Sequence, residues 1–149
     1  MTPAPREFAM PVRVYIEDTD AGGIVYYVNY LKFMERARTE WLRVLGFQHY
    51  TLLEDDFLFV VRHAEVDYRR SACIDDELRV TAAVERLGGA TLHFRQRVLR
   101  AADGEVLAEG RVEVGCVSRS ARAPRRMPKE IHDAVRRWLD GSAAATGND

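Results

Sequence analysis

An α+β fold, with one long amphipathic helix laid against a five-stranded antiparallel sheet, is the architecture this sequence predicts, and three patterns predict it. Apolar residues recur with a helical period over one long stretch that closes on Gly46. Five other segments alternate with a period of two, the signature of strands with one buried face. Four of those segments follow the helix in succession, and turns such as Gly88-Gly89 and Asp103-Gly104 are too short for crossover helices, which makes the joined strands antiparallel. The order of one strand, one long helix and four strands places the helix on a single sheet.

In chain order, residues 1 to 8 read as a loose leader. Pro11 to Glu17 alternates Val12, Val14 and Ile16 with Arg13, Tyr15 and Glu17 and reads as the first strand. The helix has its apolar face at Tyr30, Phe33, Met34, Ala37, Trp41, Val44 and Leu45, with Lys32, Glu35, Arg36, Glu40 and Arg43 opposite. Glu35 and Arg38 are spaced for an i,i+3 ion pair, and Gly46 is placed to end the helix in a left-handed cap. Phe47 to Asp56 leaves room for a short helical turn. A long strand from Leu58 to Tyr68 follows, then one through Leu78, Val80, Ala82 and Val84, one from about Ala90 to Arg100, and a last one lined by Val106, Ala108, Val112, Val114 and Cys116. One helix cannot cover both faces of such a sheet. Tyr15, Phe59, Val61 and Leu99 are expected on the second face, covered by another subunit. Ile131, Val135, Trp138 and Leu139 form one stripe of a short final helix, the domain is expected to span residues 1–140, and residues 141–149 read as a disordered tail.

A chain of 149 residues, 47% hydrophobic, suits one domain with its own core. A formal charge of −1 gives no electrostatic case for nucleic acid or an anionic membrane. Its longest apolar run, Phe57 to Val61, falls far short of the ~20 residues that span a bilayer, and the start holds no signal-peptide pattern. The expected setting is the cytoplasm. Cys73 and Cys116 lack zinc or redox spacing, so both are expected as reduced thiols and Cys116 as a core residue.

Chemistry concentrates in the turn between the first strand and the helix. Glu17, Asp18 and Asp20 are followed by Gly22 and Gly23, which permit positive φ and a close backbone approach. A carboxylate here can serve as general base, nucleophile, metal ligand or helix cap. The helix that follows points unpaired N–H groups and the positive end of its dipole at the same place, where a developing negative charge is favoured. That pairing is the layout acyl transfer requires. A basic segment, Arg119, Arg122, Arg125, Arg126 and Lys129, is either a solvated connector or a phosphate-binding patch.

The stretch VRVYIEDTDAGGIVYYVNYLKFMERARTEWLRVLGF, with weaker similarity through FVVRHAEVDYRRSACIDDELRV to MPKEI, resembles the hotdog-fold acyl-CoA thioesterases of the 4-hydroxybenzoyl-CoA thioesterase family, most closely the Tol-Pal system-associated branch. The resemblance implies a five-stranded sheet wrapped around one central helix and hydrolysis of an acyl-CoA to free acid and coenzyme A. It makes Asp20 the catalytic carboxylate, as general base or nucleophile, and puts the thioester carbonyl against backbone N–H groups near Tyr27. Gly23, Val60, Arg69, Arg70, Arg125 and Arg126 are the implied substrate contacts, the arginines for nucleotide phosphates. No metal or cofactor is implied, since coenzyme A is part of the substrate, and an acyl carrier protein is an alternative carrier. Subunits are expected to join edge to edge as a dimer, paired again into a homotetramer, with sites at the boundary. Members of the branch commonly carry histidine where this chain has Tyr27. A tyrosine offers a backbone N–H and a hydroxyl but cannot carry protons near neutral pH, and it draws the turn toward aryl-CoA members. Competing readings are a binding protein without hydrolysis, a hydratase, which needs a histidine near the turn, and a magnesium-dependent phosphotransferase with an aspartyl nucleophile, which needs a parallel sheet.

Overall fold

The computed structural model describes residues 5–47 and 56–144. Strand β1 (Glu7–Arg13) is followed by a 3-10 turn (Ile16–Asp18), helix α1 (Val28–Val44), strands β2 (Leu58–Tyr68), β3 (Glu77–Leu87), β4 (Thr91–Arg100) and β5 (Val106–Val117), and helix α2 (Lys129–Ala144). The five strands form one antiparallel sheet in the order β1-β3-β4-β5-β2. Only β3-β4 and β4-β5 are hairpins. β2 and β3 are consecutive in the chain but lie apart, because β2 crosses to the far side and pairs with β5.

Both helices pack on one face. From α1 this face buries Tyr30, Phe33, Met34, Ala37, Trp41 and Leu42 against Leu78, Val80, Val84, Leu92, Phe94, Val98 and Val112. α2 adds Ile131, Val135 and Trp138, with the Trp138 and Trp41 rings edge to face at 6.2 Å. The end of α1 is a Schellman motif: Phe47 N–H donates to Leu42 O and Gly46 N–H to Arg43 O, with Gly46 at φ 103°. Val44, expected on the apolar face, is exposed, because the buried arc of the last turn runs through Trp41 and Leu42 to Leu45, which packs against the core. Arg38 reaches the sheet rather than Glu35. It donates from Nη1 to Gln96 Oε1 at 2.9 Å, while Gln96 Nε2 donates to Met34 O and Thr81 O.

Several boundaries differ from the expectations. β1 starts inside the expected leader, at Glu7, since Glu7↔Ala83 through Arg13↔Glu77 pair with β3. It stops before the predicted end because Tyr15 N–H donates to Asp18 Oδ2 and Asp18 N–H to Tyr15 O, closing a turn that leaves Ile16 exposed. α2 continues through Gly141–Ala144, past the boundary set at residue 140 and into the expected tail, where alanines favour helix. The short helical turn expected within 47–56 falls almost wholly outside the described residues, as do residues 145–149.

Of the residues expected on the second sheet face, Leu99 lies there, opposite Arg79, while Tyr15 falls in the turn beyond β1. A bulge between Val61 and His63 inserts one extra residue, so Phe59 and Val61, paired with Cys116 and Val114, share the helix-side face with Ala64, Val66 and Tyr68 beyond the bulge. The outward face carries ion pairs instead: Arg97 with Glu7, Glu109 with Arg69 and Arg95, Arg111 with Glu85, and Arg62 with Glu113. Ion pairs of this kind sit readily in water.

Candidate active site

The acidic turn is closed by backbone hydrogen bonds. Thr19 bridges Val25, Asp20 N–H donates to Ile24 O at 2.9 Å, and Gly23, at φ 82°, donates to Asp20 O at 3.0 Å. Positive φ at that position is why a glycine stands there. Asp18 serves the architecture. Its Oδ2 accepts from Tyr15, and its carbonyl accepts from Tyr26 N–H at 3.0 Å and Asn29 Nδ2 at 2.8 Å, which joins the turn to the start of α1. Asp20 is exposed, and its Oδ1 accepts from Gly22 N–H at 2.8 Å. Oδ2 has no hydrogen-bond donor among the described residues, so one carboxylate oxygen is held and the other is open to a ligand.

α1 begins without a side-chain cap at Tyr27. The N–H groups of Tyr27 and Val28 meet no acceptor among the described residues and lie at the positive end of the helix. Asp20 and Tyr27 line one cleft of about 320 Å³, together with Ile24, Val25, Tyr26, Tyr30, Tyr68, Arg69, Arg70 and Ser71. Its aromatic wall is continuous: Tyr27 meets Tyr26 at 5.2 Å and Tyr68 at 5.7 Å, and Tyr68 meets Tyr30 at 5.5 Å. Burial pushes the phenol pKa of Tyr30 up, and likewise that of Tyr68, so both rings stay neutral, apolar walls with a donor at the tip.

The structure thus brings Asp20, Tyr27, Arg69 and Arg70 to one cleft, with Gly23 in the turn behind it. Both arginines are already paired: Arg69 Nη2 lies 2.9 Å from Glu109 Oε1, and Arg70 Nε 2.9 Å from Glu105 Oε2. Three other candidates lie elsewhere in the chain. Val60 lines a separate cavity of about 90 Å³ between α1 and the β2 side of the sheet, with Glu35, Arg38 and Trp41. Arg125 donates to Asp56 O at 2.9 Å and to Arg126 O at 2.7 Å, at the opposite end of β2 from the cleft, and Arg126 lies over Gly89. Sequence reasoning missed Asn29, Tyr30, Tyr68 and Ala72. Tyr30 and Tyr68 read there as ordinary core or strand positions, because their meeting depends on where β2 ends beside α1. Cys116 is buried, as expected, and Cys73 is an exposed free thiol.

A five-stranded antiparallel sheet with a long helix packed on one face, and a cleft lined by Asp20 and Tyr27 where that helix begins, define a hotdog-fold protein. The antiparallel sheet also removes the phosphotransferase reading, which needs parallel strands. Residues 14–139 match the model of the Thioesterase-like superfamily, and the chain belongs to that family of thioester hydrolases. It is 48% identical over 128 residues to the acyl-CoA thioesterase YbgC of Haemophilus influenzae, covering 85% of this chain and 93% of that one. Among solved structures it is similar to a probable thioesterase from Bartonella henselae, at 36% identity and a TM-score of 0.71 over 82% of this chain and 98% of that one. It shares the fold of a 1,4-dihydroxy-2-naphthoyl-CoA thioesterase from Synechocystis, with a TM-score of 0.80 at 22% identity, over 87% of this chain and 96% of that one. No described helix is long and apolar enough to cross a membrane.

Proposed function

We propose that the chain hydrolyses acyl-CoA thioesters, with Asp20 as the catalytic carboxylate and the Tyr27 and Val28 N–H groups as the oxyanion site. The observation that carries this reading is the opening of Asp20 and the uncapped α1 N-terminus onto the same cleft. Asp20 Oδ2 takes a proton from water as the water oxygen bonds to the thioester carbon, or bonds to that carbon itself. Either route puts negative charge on the former carbonyl oxygen, which the helix N–H groups receive. The C–S bond then breaks, the sulfur leaves as thiolate and takes up a proton, and the acid is released. On the direct route, water first cleaves the mixed anhydride. Tyr27 contributes its backbone N–H and an aromatic wall, Gly23 shapes the turn, and no cofactor takes part.

β2 is one of the two edge strands of the sheet and is exposed from Val61 to Glu65, which supports antiparallel pairing with the β2 of a second copy. Such pairing sets the start of one β2 beside the end of the other. The basic segment bound to the β2 start would then border the copy's cleft, where Arg125 and Arg126 join Arg69 and Arg70 in binding phosphates.

The test is free-thiol release from short, long and aryl acyl-CoA thioesters without added metal. Asp20→Asn should lose about 10²–10⁴-fold in kcat while folding normally, because the amide oxygen still accepts from Gly22. Asp18→Asn should retain far more activity, and equal residual activity in the two variants would show the wrong carboxylate has been chosen.

A further inference from the structure

Asp20 and the α1 N–H groups sit on different segments, so their separation has to be held by something. Ala72, fully buried between β2 and β3, is bonded from both sides. Its carbonyl accepts from Val25 N–H at 2.8 Å, and its N–H donates to the Tyr30 hydroxyl at 2.9 Å. Val25 belongs to the turn segment: it bridges Thr19, next to Asp20, while its neighbour Ile24 bridges Cys73, next to Ala72. Tyr30 belongs to the first turn of α1, is 3% exposed, and packs its ring on Tyr68 and Phe33. One backbone residue thereby ties the segment carrying the carboxylate to the helix carrying the oxyanion donors.

We infer that Tyr30 is a positioning residue of this site, its hydroxyl setting, through Ala72, the register between the Asp20 carboxylate and the N-terminus of α1. The inference rests on the thioesterase reading above. Tyr30 itself donates nothing to the reacting atoms. Removing its hydroxyl leaves the ring and its packing in place but frees Ala72 N–H inside the core, so the 69–74 segment has to shift to find another partner. Because attack depends on alignment to within about an ångström, a small shift is read mainly in the chemical step.

The experiment compares wild type, Tyr30→Phe, and Val135→Ala as a stability control placed in α2 away from the cleft. Steady-state kinetics on an accepted acyl-CoA are combined with amide hydrogen exchange at Val25. Tyr30→Phe is expected to lower kcat by about 10–100-fold with KM within about twofold of wild type, and to speed exchange at Val25. Val135→Ala is expected to lower the melting temperature without changing kcat. An unchanged kcat in Tyr30→Phe, or a loss confined to KM, would overturn the inference. No turnover in the wild type would remove the thioesterase reading instead, and the exchange rates then decide the clamp alone: equal rates at Val25 with and without the hydroxyl would refute it.

Discussion

Gln96→Leu is the most direct probe of how α1 is fastened to the sheet. The glutamine is fully buried and bonds three ways: from Nε2 to Met34 O at 2.9 Å and to Thr81 O at 3.0 Å, and at Oε1 from Arg38 Nη1 at 2.9 Å. A bond to a charged donor contributes about 2 kcal/mol net and each neutral bond about 1 kcal/mol, which puts roughly 4 kcal/mol at stake. Leucine has similar volume and recovers about 1.5 kcal/mol through apolar burial. The expected net loss is therefore about 2–3 kcal/mol. With a urea slope of about 2 kcal/mol per molar for a chain of this size, the midpoint should fall by about 1–1.5 M with an unchanged slope. The assay is urea unfolding followed by tryptophan fluorescence, at matched protein concentrations so that association does not shift the midpoint. A shift under about 0.4 M would show that the three bonds contribute little net, and that apolar packing alone holds the helix.

Two further outcomes concern the basic segment. Asp56 accepts from Ser118 Oγ, Ser120 Oγ and Ser120 N–H, which holds its pKa down at about 2. A carboxyl depressed on folding stabilises the fold above its ordinary pKa and loses that contribution as pH falls through the folded value. The melting-temperature gap between wild type and Asp56→Ala should therefore be open near neutral pH and close as pH approaches about 2, and a gap constant with pH would contradict the assignment. Arg126→Ala should raise KM for an acyl-CoA but leave KM for the matching acyl-pantetheine thioester, which lacks the nucleotide, unchanged. Equal effects on both substrates would remove Arg126 from phosphate binding.

Much of the fold is written locally. The apolar face of α1 at Tyr30, Phe33, Met34, Ala37 and Trp41, the Gly46 cap, the hairpin turns and the Ile131-Val135-Trp138 stripe all rest on spacing between near neighbours, and the structure shows each of them. The acidic turn was legible as well, because carboxylates, glycines and a following helix are a one-dimensional pattern. Tertiary structure alone decided which carboxylate reaches the cleft. Asp18 and Asp20 look alike in sequence, and each accepts one backbone N–H, but Asp20 lines the cleft beside Tyr27, whereas the Asp18 backbone carbonyl ties the turn to Tyr26 and Asn29. The bulge after Val61 likewise has no local signal, yet it moves Phe59 and Val61 to the helix side and leaves the outer face to arginine and glutamate. The clamp of Val25, Ala72 and Tyr30 joins residues 42 to 47 positions apart by hydrogen bonds. Such partners become neighbours only after β2 has crossed the sheet to β5, so spacing along the chain determined the elements and chain crossing determined the site.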